Sequence, residues 1–156
     1  MSRIVMAEQC HVVPIIYPVG SSGATINSDI VSMKNASHCS IILAVGVQAG
    51  AFTAKVYAGA DFSTCDQAFN CAVYKEETTV SDMLGDRTAV VGATGIATAA
   101  TSSIFYVFEV EAEDLPEGYT NIQLQLSDLD NTTYVSAVAI LSGYAYQGVD
   151  QVTEIA

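Results

Sequence analysis

The feature that most narrows what this chain can fold into is a two-residue period. From about residue 24 to 146, apolar and polar side chains alternate in short runs, and no segment sustains a helical period. In Asn121 to Ser127, Ile122, Leu124 and Leu126 fall on one face, with Asn121, Gln123 and Gln125 on the other. Phe52, Ala54 and Val56 alternate with Thr53 and Lys55 in the same way. Successive side chains of a strand point to opposite faces, so runs of this kind bury one side of a sheet. Ser40 to Gln48 and Tyr134 to Ser142 are apolar on both faces, the pattern of central or doubly covered strands. Ile104 to Glu113 starts doubly apolar, then carries Glu109, Glu111 and Glu113 on a single face.

Turn chemistry separates these runs: Gly20 to Gly23, Asn35-Ala-Ser, Gln48-Ala-Gly50, Gly59-Ala-Asp61, Gly92 to Gly95, Pro116-Glu-Gly118 and Asp128 to Asn131. About eight strands at this spacing predict an all-β domain, an antiparallel β-sandwich or jelly roll. The expected core includes Ile122, Leu124, Leu126, Phe52, Val56, Val138 and Ile140. One short helix is expected in a loop, where Thr79-Val-Ser-Asp82 resembles a capping box, Val80, Met83 and Leu84 form a stripe, and Gly85 ends it.

The ends read differently from the middle. Residues 1–23 hold two of the chain's 3 prolines and finish in a Gly/Ser cluster, the signature of an extended N-terminal arm and hinge. Residues 24–146 are the sandwich, and residues 147–156 are a polar, acidic tail. Ile4, Val5, Val12, Val13, Ile15 and Ile16 are too apolar for a solvated arm. Pro14 and Pro18 make the segment a poor central strand, so these residues are expected to contact a partner.

A chain of 156 residues is one domain long, with 51% apolar and 14% charged residues. Val, Ile, Tyr, Phe and Thr favour sheet over helix. The net charge of −12 repels phosphate backbones, and Arg3, Lys34, Lys55, Lys75 and Arg87 form no basic stripe, so no nucleic-acid partner is expected. Glu8, Gln9, His11 and Pro14 interrupt any export signal. The uncharged part of residues 88–108 is studded with Thr, Ser and Gly and reads as two strands and a turn, so no membrane span is expected. Cys10, Cys39, Cys65 and Cys71 are expected as free thiols in a reducing cytosol, with Cys65 and Cys71 the pair that oxidation would join.

No residue set carries an enzyme's chemistry. Cys10-His11 and His38-Cys39 are zinc-type residues, but neighbours in one strand diverge, which puts Cys39 in the core and His38 beside Ser40 outside. Asp128-Leu-Asp130-Asn131 starts like a calcium loop and lacks its Gly and distal Glu. Paired carboxylates such as Glu109 and Glu111 would suit a glycosidase, yet the chain has 0 Trp for sugar stacking. No nucleophile elbow or phosphate-cradling glycine motif is present. Neither catalytic residues, nor a metal, nor a cofactor is expected.

Val31-Ser-Met-Lys-Asn-Ala-Ser-His-Cys-Ser-Ile-Ile-Leu43, Phe52-Thr-Ala-Lys-Val-Tyr57, Tyr106 to Leu115 and Tyr134 to Tyr146 resemble small virion proteins of tailed bacteriophages. They are similar in pattern to the β-sandwich decoration, or cement, proteins on the outside of icosahedral heads. The resemblance implies a non-enzymatic homotrimer that binds the major capsid protein on the outer capsid surface, after synthesis in the host bacterial cytoplasm. A carbohydrate-binding or adhesive β-sandwich module, such as a phage tail or fibre component, shares the expected fold. Tyr144 and Tyr146 favour it and the lack of Trp opposes it. A small jelly-roll metalloenzyme is the third class, opposed by the 2 histidines.

Overall fold

The alternating runs become strands in the structure, a computed structural model that describes residues 6–77, 83–100 and 103–144. A four-residue helix, α1 (Met6–Gln9), leads into β1 (His11–Gly20), β2 (Ile26–Asn27), β3 (Val31–Ser32) and β4 (Ala36–Val45). Then come β5 (Thr53–Gly59), β6 (Gln67–Ala68), β7 (Cys71–Glu77), β8 (Met83–Leu84), β9 (Thr88–Val90) and β10 (Ile96–Ala97). The chain continues through β11 (Ile104–Glu111), a 3-10 turn at Ala112–Asp114, β12 (Asn121–Ser127) and β13 (Tyr134–Tyr144).

Every pairing between these strands is antiparallel, and they form two sheets. The larger runs β1-β13-β4-β11-β7-β8 with β9 also on β7; the smaller runs β10-β5-β12-β2 with β3 on β12 and β6 on β5. The pairings nest. β1 pairs with β13, β2 and β3 with β12, and β4 with β11, so early strands meet late ones in reverse order. That wrapping is the jelly roll.

The core lies between the sheets, where each half-polar strand turns its apolar parity inward. Ile122, Leu124 and Leu126 of β12 meet Phe52, Val56, Leu43 and Phe108, all 2% exposed or less. The doubly apolar β13 departs from expectation. Val138 and Ile140 lie on the outer face, while Ala137, Ala139 and Leu141 turn inward. Ser136 and Ser142 mark that parity only at the margins of the run, and the register with β4, Ala139 opposite Ile41 and Val138 opposite Ile42, decides it.

The arm also needs correction. Residues 11–20 are not a segment apart but β1, an edge strand of the larger sheet, with Val13 opposite Ala139. Val13, Ile15 and Ile16 are buried in the chain's own core, and Val12 stays 47% exposed on the outer face. Proline lacks the N–H that a second neighbour would need, and an edge strand has only one. Register shifts follow Pro14 and Ile16, which lets adjacent Ile15 and Ile16 both turn inward. Ile4 and Val5 lie outside the described residues, as do the tail 147–156 and most of the expected helix at 79–84. The last two residues of that helix, Met83 and Leu84, form β8 beside Glu77 and Glu76 instead.

Two glycines are dictated by geometry. Gly118 sits at φ +86° where the Tyr119 N–H donates to the Pro116 carbonyl at 3.0 Å, the left-handed corner of a tight turn. A Cβ at Gly92 would run into the backbone of Phe69. The described part of residues 88–108 includes β9, β10 and the start of β11, and no helix among the described residues is long and apolar enough to cross a membrane.

Candidate functional site

The doubly apolar strands of the larger sheet turn their second face outward, and register aligns those side chains into rows. Pro14, Val138, Ile42, Val107 and Tyr74 stand side by side across β1, β13, β4, β11 and β7. Each is exposed or half-buried, so the row forms an apolar band across the outer face of the sheet.

The two ends of this face differ. Towards the end of β4, Ala44 lies between Ser136 and Phe105, and Phe105 is 40% exposed. Here Pro18, Val19, Ala44, Phe105 and Tyr134 help line an apolar cavity of about 360 Å³. At the other end, His38 lies between Ser142 and Glu111, and Ser40 between Ile140 and Glu109. A second cavity, of about 580 Å³, opens beside them and includes His38, Glu109, Glu111, Asp114, Arg87 and Tyr74 in its lining.

The polar end is a connected ladder. His38 Nδ1 lies 2.8 Å from Glu111 Oε1, and Nε2 lies 2.7 Å from Glu109 Oε2 and 3.1 Å from Ser40 Oγ. The Ser40 hydroxyl donates to Glu109 Oε2 at 2.6 Å. Ser40, His38 and Glu111 thus follow the hydroxyl–imidazole–carboxylate order of a serine hydrolase. Glu109 spoils the likeness, because its carboxylate, and not the imidazole, accepts the Ser40 hydroxyl's hydrogen bond at 2.6 Å. β4 is paired on both sides, by β13 and β11, so its backbone N–H groups are spent in the ladders and offer no oxyanion hole. The row suits cross-strand cohesion better than acyl transfer.

The parity argument for Cys39 holds. It is buried in the core, and burial first, then the charge of Glu109, pushes its thiol up to about 12. Burial and then Asp114 push Cys71 up to about 12 as well, and burial with Asp61 and Asp66 raises Cys65 to about 11. All four cysteines are free thiols, and these three are poor nucleophiles at neutral pH. His38 and Cys39 point to opposite sides of β4, as strand geometry requires. Among the described residues, no group of three or more His, Cys, Asp or Glu is placed to hold a metal ion.

Asp130, the centre of the calcium-like tetrapeptide, serves its own loop. Its Oδ1 accepts from the Thr132 N–H at 2.8 Å, the Thr132 hydroxyl at 2.7 Å and the Thr133 hydroxyl at 3.1 Å. Its Oδ2 accepts from the Ala49 N–H at 3.2 Å. The Thr132 hydroxyl and N–H lead in holding its carboxyl down to about 2. A carboxyl depressed in the fold contributes stability above its unfolded value near 3.8 and loses it as pH falls towards 2. Wild-type protein should therefore lose more of its melting temperature than Asp130→Asn between pH 5 and about pH 2. Parallel acid titrations of the two melting temperatures check this, and identical slopes would contradict it.

Of the residues expected to meet a partner, Ile4 and Val5 lie outside the described residues; among the others Val12 reaches the outer face, and Val13, Ile15 and Ile16 are interior. The ladder of His38, Ser40, Glu109 and Glu111 escapes a reading of the sequence because β4 and β11 are far apart in the chain. Its one trace is the same-face spacing of Glu109 and Glu111.

No protein family matches the sequence, and no curated protein matches it either. Among solved structures, the chain is similar to the SPBc2 prophage-derived protein YomS over 84% of its length and 92% of that chain, at 7% identity and a TM-score of 0.44. It is also similar to a structure from the infectious bursal disease virus Gt strain at 13% identity and a TM-score of 0.26, over 94% of this chain and 43% of that one.

Proposed function

We propose that this chain is a non-enzymatic structural protein of a bacteriophage virion, decorating and cementing the icosahedral head by binding the major capsid protein as a homotrimer. The observation that carries the reading is the apolar outer face of the larger sheet. A monomer in water gains nothing by holding Val138, Ile42, Val107 and Phe105 at its surface in one contiguous band, whereas a protein that works by being covered does. Jelly rolls serve widely as viral capsid and lectin domains, a fold-level analogy that agrees with the sequence resemblance. The charge of −12 suits the outer side of a shell and opposes contact with packaged DNA. The clamp in this reading is a sheet face and not a detached arm, since β1 is committed to its own core. No cofactor, nucleic acid or membrane enters it.

The test is direct. Recombinant protein is mixed with expanded capsids from a phage mutant that lacks it, and the capsids are pelleted and imaged. Co-sedimentation at a fixed number of copies per capsid, with a trimer in light scattering at micromolar concentration, is the expected result. Glycan binding without capsid binding would favour the adhesive module instead, and a protein that stays monomeric with and without capsid would remove the trimer.

A further inference from the structure

The ladder across β4 and β11 needs one hydrogen more than a neutral histidine can supply. A carboxylate only accepts hydrogen bonds, so the 2.8 Å contact of His38 Nδ1 with Glu111 Oε1 is a bond only when Nδ1 carries hydrogen. The Ser40 hydroxyl has one hydrogen and gives it to Glu109 Oε2 at 2.6 Å. Nε2, 3.1 Å from the Ser40 oxygen and 2.7 Å from Glu109 Oε2, therefore meets two acceptors and must carry hydrogen as well. A neutral imidazole has one N–H and one lone pair. With both carboxylates ionised, it leaves one end of the ladder as a lone pair facing a negative charge.

The two ends do not open equally. Glu109 is held twice, by the ring and by the Ser40 hydroxyl, and its side chain is 27% exposed. Among the described residues Glu111 is held by the ring alone, and its side chain is 48% exposed, so water receives it readily. We infer that His38 is a proton-operated latch between β4 and β11: the imidazolium holds both Glu109 and Glu111, and the neutral ring keeps its hydrogen on Nε2 and lets Glu111 go. The proton leaves Nδ1 for water, and no covalent bond between heavy atoms changes. The backbone pairing of β4 with β11 continues from Glu111 to Ile104, so opening moves a side chain and leaves the sheet intact.

The surroundings of the latch are sparse in charge. On the β13 side its neighbours are Ser142 and Ile140, and on the β7 side Glu109 stands opposite Ala72, none of which titrates. The other charged or titratable groups facing it line the same cavity: Arg87 just before β9, Tyr74 of β7 and Asp114 of the 3-10 turn. Cys39, the next residue of β4, points to the core and stays a neutral thiol. With the ring protonated, His38 and Arg87 stand against the carboxylates of Glu109, Glu111 and Asp114. With the ring neutral, Arg87 is the one cation left in that lining and Glu111 has turned to water. This end of the outer face therefore changes charge by one proton, beside the apolar band, whatever comes to cover it.

Nuclear magnetic resonance tests the latch on the whole chain, labelled with 15N in histidine and 13C in glutamate. The chain has 2 histidines, so His38→Gln assigns the ring signals, and Glu109→Gln and Glu111→Ala assign the two carboxylate carbons. Melting curves confirm that each variant folds. The pH is raised from about 5 to about 9, and the result is read at the midpoint of the His38 ring itself. Below the midpoint both ring N–H hydrogens of His38 should be seen, sheltered from exchange with water. Above it the Nε2 hydrogen alone should remain, and the Glu111 carboxylate carbon should shift in the same step, with Glu109 moving less. Glu111→Ala should lose the Nδ1 hydrogen signal and keep that of Nε2. A neutral ring with its hydrogen on Nδ1, or a ring whose hydrogens do not change over this range, overturns the inference. So does a Glu111 carbon that ignores the titration of the ring, or a Glu111→Ala protein that keeps the Nδ1 signal.

Discussion

Replacing Phe108 with alanine is expected to cost about 3–5 kcal/mol of folding stability, while Val107→Ala, one residue earlier, should cost about 1 kcal/mol or less. Both are apolar residues of β11, and the sequence offers little to separate them. Phe108 is 0% exposed and packs in the core between the sheets, so its removal leaves a cavity that close-packed neighbours fill only in part. Val107 stands on the outer face between Ile42 and Tyr74, where truncation leaves no internal void. Urea unfolding of the two variants and the wild type measures the contrast. Equal losses would mean that the outer face is already covered in the free protein.

Deleting residues 1–17 is expected to abolish cooperative folding. The cut removes Val13, Ile15 and Ile16 from the core, each contributing roughly 1.5–3 kcal/mol by burial. Together they approach the roughly 5–15 kcal/mol that holds a whole domain. The same cut strips β13 of one neighbour and exposes an edge whose outer face carries Val138 and Ile140. Thermal melting by circular dichroism, with size-exclusion chromatography to detect aggregation, checks the outcome. A truncated protein that melts sharply near the wild-type temperature would show β1 to be dispensable.

Much of the fold is legible in the alternation, and the failures share a cause. β12 and β5 alternate cleanly, so Leu124 and Val56 are assigned to the core from spacing alone. In β4 the polar residues His38 and Ser40 fix the parity of the apolar stretch that follows, and Cys39, Ile41 and Leu43 fall inside. In β13, Ser136 and Ser142 mark the outer parity, but Val138 and Ile140 between them are larger than Ala137 and Ala139. Size then argues for the wrong side, and only pairing with β4 settles it. The prolines of β1 rightly exclude a central strand, yet they allow an edge strand as readily as a free arm. The site is harder to see than the fold. The rows join residues from five strands, and no local pattern states which strands are neighbours.

The nested order of pairing governs how this chain is born. β13, the last of the described strands to leave the ribosome, takes its place between β1, the first of them, and β4. Until it arrives, β1 has no described partner strand and β4 waits with one side open. The larger sheet therefore closes only after all the other described strands are synthesised, and the entropy of joining such distant segments must be met before their contacts form. During that wait the edge of β4 offers its unpaired backbone N–H and C=O groups to other strands, which makes the nascent chain prone to misassociation.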